Sequence, residues 1–234
     1  MLILAFETSA KAGSVALMDE NRLLGESYNN TGLTHSQTLL TMAEDLLKSC
    51  GYGPKDVTAV AVAAGPGSFT GVRIGVAAAK GFAWGAQLPC YGVSTLEAMA
   101  KQLGIWQGYI CPVMDARRSQ VYNALFHAQR GETRRICDDR AIALRDLASE
   151  IKNLKEPVFL VGDGSILCYN TLIEDVPDLV CPPEHKMHQR AGGVALAAKE
   201  MLLRGEYGDA NALEPNYLRL SQAERERLGK EKNS

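Results

Sequence analysis

GPGSFTG, residues 65–71, is the stretch whose composition most invites chemistry. Its glycines fall at a strand-to-helix turn, where free backbone N–H groups at a helix start suit an anion. Gly65, Gly67 and Ser68 are the candidate contacts for a nucleotide phosphate. The loop lacks the lysine of a Walker loop, however, and Ser68 or Thr70 serves equally well as a plain N-cap. Glu7 and Asp115 each end an apolar run, where lobed nucleotide-binding proteins often place acids that position magnesium or water. Acids at strand ends are also common for plain solubility. VGDGS at 161–165 offers a second glycine turn through Gly162 and Gly164, for which a structural turn is the stronger expectation. Metal ligands are poorly represented: Cys181, His185 and His188 lie close together but lack a fourth ligand, and His35 has no partner at i+4. No GxSxG nucleophile elbow occurs, and the four histidines form no obvious triad.

Those residues need elements to hold them. LILAFETS (2–9), GSVALMDE (13–20) and RLLGESYN (22–29) read as an antiparallel meander. Thr34 and Gln37, in capping-box spacing, open a helix with Leu39, Ala43, Leu46 and Cys50 on one stripe and a stop at Gly51. A buried-type strand at 57–64, the glycine turn, an apolar helix, a short strand at PCYGV and a helix from Ser94 to about Leu103 complete the first half. The plan restarts at residue 108. YICPVMDARRSQVYNALF overlays LILAFETSAKAGSVALM so that Glu7 meets Asp115. A strand near 131–137, helices near 144–153 and 166–174, the strand PVFLVGDGS between them and the helix RAGGVALAAKEMLLRGE follow. A repeated meander plus helices predicts an α/β fold of two actin-like (ribonuclease-H-like, ASKHA) lobes, a kind that commonly holds a nucleotide in its cleft. The expected division is an N-terminal lobe at 1–105, a C-terminal lobe at 106–220 and a charged, disordered tail at 221–234.

Between Thr70 and Ala86 the only charges are Arg73 and Lys80, seven apart and so on one face. A helix on a single sheet normally shows a polar half to water, whereas this one would expose Val, Ala and Gly. Gly71, Gly75 and Ala79 form a row without bulk, which lets a second backbone approach closely. Its own sheet plus the other lobe, an ordinary central position, and a protein–protein interface are all candidate covers, the last preferred. Ile74, Ala78 and Phe82, with Leu40 and Leu47 of the preceding helix, extend that expected interface.

Whole-chain properties set limits. A net charge of −2 supplies no positive field to concentrate nucleic acid, so RNA binding would need a partner's grip. The short basic runs at Arg117, Arg118, Arg134 and Arg135 read as solvated surface before RNA contacts. Six scattered cysteines without a CxxC pair, and no leader before MLILAFETS, point to a reduced, cytoplasmic protein. No apolar run approaches the ~20 residues of a membrane helix.

ETSAKAGSVAL, the THSQTLL helix start and above all AAGPGSFTGVRIG resemble the TsaB family of bacterial tRNA threonylcarbamoyladenosine biosynthesis proteins, with a weaker likeness reaching LEPNYLR at 213–219. Many members carry Asp where this chain has Glu7. The resemblance implies a two-lobed actin-like subunit that is not itself catalytic but scaffolds and activates the metal-bearing paralogue TsaD. That paralogue moves a threonylcarbamoyl group from its adenylate to the adenosine beside the anticodon. Its HxxxH metal motif, laid on YGVSTLEAMA, falls on Thr95 and Met99, and neither side chain replaces imidazole as a ligand. The resemblance further implies pairing with a TsaD-like transferase through the N-terminal helices, a TsaE-like ATPase joining the complex, and a homodimer when alone. tRNA is then met only through the complex; no membrane, metal or resident cofactor is implied, and ATP or ADP at an interface of the complex is left open. The competing expectation is a nucleotide-dependent kinase or hydrolase acting on its own through Glu7, Asp115 and the glycine turns; a third is a nucleotide sensor without turnover.

Overall fold

The computed structural model describes residues 1–105 and 107–219, so the charged tail at 221–234 lies outside the described residues. The first half runs β1 (Leu2–Glu7), β2 (Gly13–Asp19), β3 (Leu23–Asn29), α1 (His35–Ser49), β4 (Ala59–Gly65), α2 (Phe69–Ala86), β5 (Cys90–Ser94) and α3 (Thr95–Leu103). The second runs β6 (Gln107–Asp115), β7 (Gln120–Gln129), β8 (Glu132–Ala143), α4 (Leu144–Ile151), β9 (Val158–Val161), α5 (Ser165–Leu172), β10 (Leu179–Val180), α6 (Glu184–Met187) and α7 (Ala191–Leu203). The strand orders are β3-β2-β1-β4-β5 and β10-β9-β6-β7-β8, so each half builds the same five-stranded sheet. In both, the first three strands pair antiparallel and the last two are added in parallel. The internal repeat expected from the pattern of strands is therefore present.

Alternation along the strands fixes what covers each face. Leu2, Leu4, Phe6, Val15 and Leu17 point to one side of the first sheet and pack under α1 and α2. Burying a leucine or phenylalanine of this kind contributes about 1.5–3 kcal/mol, which makes this the main seat for both helices. The opposite side carries Ala5, Ala16, Ala59, Ala61 and Ala63, and against it lies α7 through Ala191, Val194, Ala195, Ala197 and Ala198. Small side chains on both partners let the helix axis come close to the sheet.

The covering of the inner faces corrects the expected lobe boundary. The strands divide at residue 105, but the helices cross over. Leu96, Met99 and Ala100 of α3 pack on the second sheet with Ile110, Phe126 and Val161, while α7 packs on the first. The chain after α7 stays with the first lobe as well: Cys90 donates its N–H to the Gly208 carbonyl at 3.3 Å, and Asn216 donates to the Ala64 carbonyl at 2.6 Å. An apolar pattern reveals that a helix is buried, not which sheet buries it.

Three short elements were not anticipated: a 3-10 turn at Pro54–Asp56, β10 and α6. β8 also runs to Ala143 instead of stopping near 137. It is an edge strand of half-exposed, charged residues, and charge on an edge conceals the alternation that marks a strand. Among the described residues, no helix is long and apolar enough to cross a membrane.

α3 and α7 meet where a Cβ on Gly193 would collide with the Ala98 carbonyl oxygen. Gly193→Ala should accordingly cost about 1–3 kcal/mol in urea unfolding. Gly85→Ala, where a Cβ meets nothing within 4 Å, should instead leave stability unchanged or raise it by up to about 1 kcal/mol.

Candidate functional site

The facing turns of the two lobes enclose a cleft of ≈ 780 Å³. Ser9 and Lys11 reach it from the β1–β2 turn, Ser68 and Thr70 from the start of α2, and Asp115 and Arg117 from the β6–β7 turn. Asp163 closes the floor, and Tyr217 and Arg219 border the rim. Glu7 lies behind this wall, fully buried. One of its oxygens accepts the Ser9 N–H at 2.6 Å, and the other has no partner among the described residues. Burial pushes the Glu7 carboxyl up to about 7, with a smaller contribution from the negative charge of Asp163; the Ser9 hydrogen bonds oppose it. Asp163 is likewise raised, first by burial and then by Asp115, although the Gln189 amide donates to it at 3.0 Å. Asp115 accepts the Arg117 N–H at 2.7 Å and faces solvent.

Both glycine turns use their lack of side chain for packing. A Cβ on Gly65, whose φ is +116°, would strike the Asn216 carbonyl, and one on Gly67 would stand 2.5 Å from the Ser9 carbonyl oxygen. Ser68 donates its N–H to Ser9 at 2.6 Å while its hydroxyl caps α2 by accepting from Gly71 at 3.3 Å. Gly162 donates to the Met187 carbonyl at 2.7 Å, and Gly164 to that of Val113 at 3.1 Å. The amides of Ser68, Gly162 and Gly164 are thus spent within the chain. Thr95 and Met99 are fully buried in the core between α3 and the second sheet. Cys181, His185 and His188 form no metal site: no group of three or more ligands comes together among the described residues. Arg135 is tied to Glu97 at 2.9 Å and Asp139 at 2.6 Å, so it is not the free cation that an RNA contact requires.

The expected interface needs a correction. Gly71, Gly75 and Ala79 face the protein's own sheet, as does Leu47 of α1. A Cβ on Gly71 would collide with the Thr8 carbonyl and one on Gly75 with the Thr8 hydroxyl, which itself donates to the Gly71 carbonyl at 2.7 Å. The row without bulk exists to seat α2 on β1. Leu40 is 58% exposed, and Ile74, Ala78 and Phe82 are half-buried on the flank toward α1. A second small row at the same spacing, Ala77, Gly81 and Gly85, occupies the outer side and is exposed. Its signal was present in the sequence, since two positions along a helix is ~200° around it.

The chain's C-terminal segment covers the remaining flank of α2, and the helix's two charges hold it there. Arg73 lies 3.8 Å over the Phe69 ring and donates to the Tyr217 hydroxyl at 2.7 Å, while Tyr217 stacks on Phe69 at 4.7 Å. Lys80 donates to the Leu213 carbonyl at 3.0 Å, and Trp84 to the Asn211 side chain at 3.2 Å.

The buried acid yields a pH test. A shift from 4.5 to about 7 corresponds to about 3 kcal/mol. The folded state prefers Glu7 protonated, so the stability that this group contributes is fully present below about pH 4.5, is lost as pH rises toward 7 and stays absent above it. Glu7→Gln should therefore unfold at higher urea than the parent at pH 8, and the two should converge near pH 4.5.

The family model described as TsaD: tRNA N6-adenosine threonylcarbamoyltransferase matches residues 29–227. The tRNA threonylcarbamoyladenosine biosynthesis protein TsaB of Bacillus subtilis is 35% identical, over 96% of this chain and 96% of its own. That of Escherichia coli is 33% identical over 99% and 100%. A crystal structure from Pseudomonas aeruginosa, described as an uncharacterized protein with similarity to peptidase YEAZ, matches with a TM-score of 0.76 at 28% identity, over 93% of this chain and 99% of that one. The two actin-like lobes expected from the repeat are the fold that these proteins share. Sequence, family match and architecture agree: the chain belongs to the TsaB family of tRNA threonylcarbamoyladenosine biosynthesis proteins.

Proposed function

We propose that this protein takes part in tRNA threonylcarbamoyladenosine biosynthesis as a non-catalytic scaffold and activator, pairing with a TsaD-like transferase through the outer face of α1 and α2. The observation that carries this reading is the smooth outer row Ala77, Gly81 and Gly85, bordered by exposed Leu40 and by Trp84, which is 56% exposed. An apolar surface without bulk gains little from water and allows a partner helix to approach closely. The same face would let the lone chain form a homodimer. Burial of Thr95 and Met99 supports the non-catalytic role, because the place of the paralogue's metal motif is filled by core packing. The amides already committed in both glycine turns weigh against an independent kinase or hydrolase. A TsaE-like ATPase joins the complex in this scheme, and tRNA is contacted through the complex. The cytoplasm is the compartment this role requires, in keeping with six unpaired cysteines.

Gly81→Arg tests the assignment without disturbing the fold, because a side chain there points into open space. Pairing with the paralogue, followed by analytical ultracentrifugation, should weaken by at least about tenfold, a loss of about 1.4 kcal/mol. Threonylcarbamoyladenosine formation should fall with it, while thermal stability stays at the parent's value. Undiminished pairing, or ATP turnover by the lone chain that disappears in Glu7→Ala, would reverse the conclusion.

A further inference from the structure

A second groove lies on the other side of the first sheet, away from α1 and α2. It is formed by the β2–β3 hairpin, α6 and the outer side of α7, and encloses ≈ 490 Å³. Its wall is apolar: Met18 lines it together with Leu23 and Leu196, which are 42% and 37% exposed. Its rim is basic. Arg22, Lys186 and Lys199 line it, in a chain whose net charge is −2.

Three of the neighbouring carboxylates are committed elsewhere, while Glu184 stands exposed at the start of α6. Glu26 accepts from Arg190 and from the Gly192 N–H, both at 2.9 Å, and so caps the start of α7. Asp19 accepts the N–H groups of Asn21 and Arg22 within its own hairpin, at 2.7 and 2.8 Å. Glu20 takes the α-amino group of Met1 at 3.0 Å. Among the described residues Lys199 donates to a backbone carbonyl, that of Glu20, and to no carboxylate, and Lys186 has no ion-pair partner. Arg22 reaches Asp19 only at 3.8 Å, with 77% of its side chain exposed.

We infer that this groove docks an acidic, amphipathic peptide segment of a partner protein, its leucine-like side chains against Leu23 and Leu196 and its carboxylates on Arg22, Lys186 and Lys199. Cationic rims of this kind recognise carboxylates by charge-assisted hydrogen bonds, and the apolar wall selects the spacing. Single-stranded RNA fits less well: it would need several aromatic platforms for its bases, and the groove is lined by no Phe, Tyr or Trp, with His185 its one ring. The groove and the α1–α2 face lie on opposite sides of one sheet, so both can be occupied together. The inference is independent of the transferase pairing.

The test is a heteronuclear NMR titration of the full chain with a short amidated peptide carrying Glu and Leu at i, i+4 spacing, alongside the same peptide with Lys for Glu. Saturable shifts confined to the groove are expected with the acidic peptide and not with the basic one. Affinity should drop about tenfold or more in Lys186→Glu and in Leu196→Asp, and should weaken as salt is raised. Gly81→Arg should leave it unchanged. Shifts outside the groove, equal response to the basic peptide, no saturable shifts, or preferential displacement by single-stranded RNA would each overturn the inference.

Discussion

Close approach of backbone to backbone, made by leaving side chains out, is the constraint on which this architecture rests. Gly71 and Gly75 bring α2 down onto Thr8 of the first strand–turn unit, and Gly193 brings α7 onto the carbonyl of Ala98 in α3. Either helix raised by the width of a methyl group would lose its register on the sheet. α2 would then release the turn that packs against Ser9, and α7 would release the crossover that joins the lobes. The alanines of the inner sheet face belong to the same device, since they give α7 room to lie close. The lobes interlock because each lends the other a helix, so the cleft between them is held by core packing on both sides.

The seating of α2 also determines what its other surfaces can do. One flank is taken by α1, and the other by the C-terminal segment, held through Arg73, Lys80 and Trp84. The outer row is left to water, together with Thr70, Arg73 and Trp84. The helix's two charges thus secure the chain's own covering, and the outer row of α2 carries no charge. The cleft is different in kind. The amides of Ser68, Gly162 and Gly164 in its turns bond within the chain, and burial raises the Glu7 carboxyl behind it to about 7.

Much of the fold could be read from the residues, because strand alternation and helix period register burial directly. The meander, the helix starting after Thr34 and the repeat aligning Glu7 with Asp115 all follow from that periodicity. Three things escaped it for physical reasons. β8 is an edge strand whose charges mask its alternation. The exchange of α3 and α7 is invisible because an apolar stripe does not name its partner. The seat of α2 lies on the other side from the one expected: Gly71, Gly75 and Ala79 and the outer Ala77, Gly81 and Gly85 are equally smooth, and the row that faces inward is the one that meets Thr8 and Val62. The basic rim at Arg22, Lys186 and Lys199 joins residues more than 160 positions apart, which no local pattern reveals.

The central claim is that α2 has one seated side and one side open to a partner. Hydroxyl-radical footprinting of the chain alone and with the TsaD-like paralogue measures this residue by residue. Val72 and Val76 should be unreactive in both states, while Leu40 and Trp84 should react in the free chain and become protected in the complex. Unchanged reactivity at Leu40 and Trp84 in a formed complex, with protection appearing elsewhere, would contradict the account.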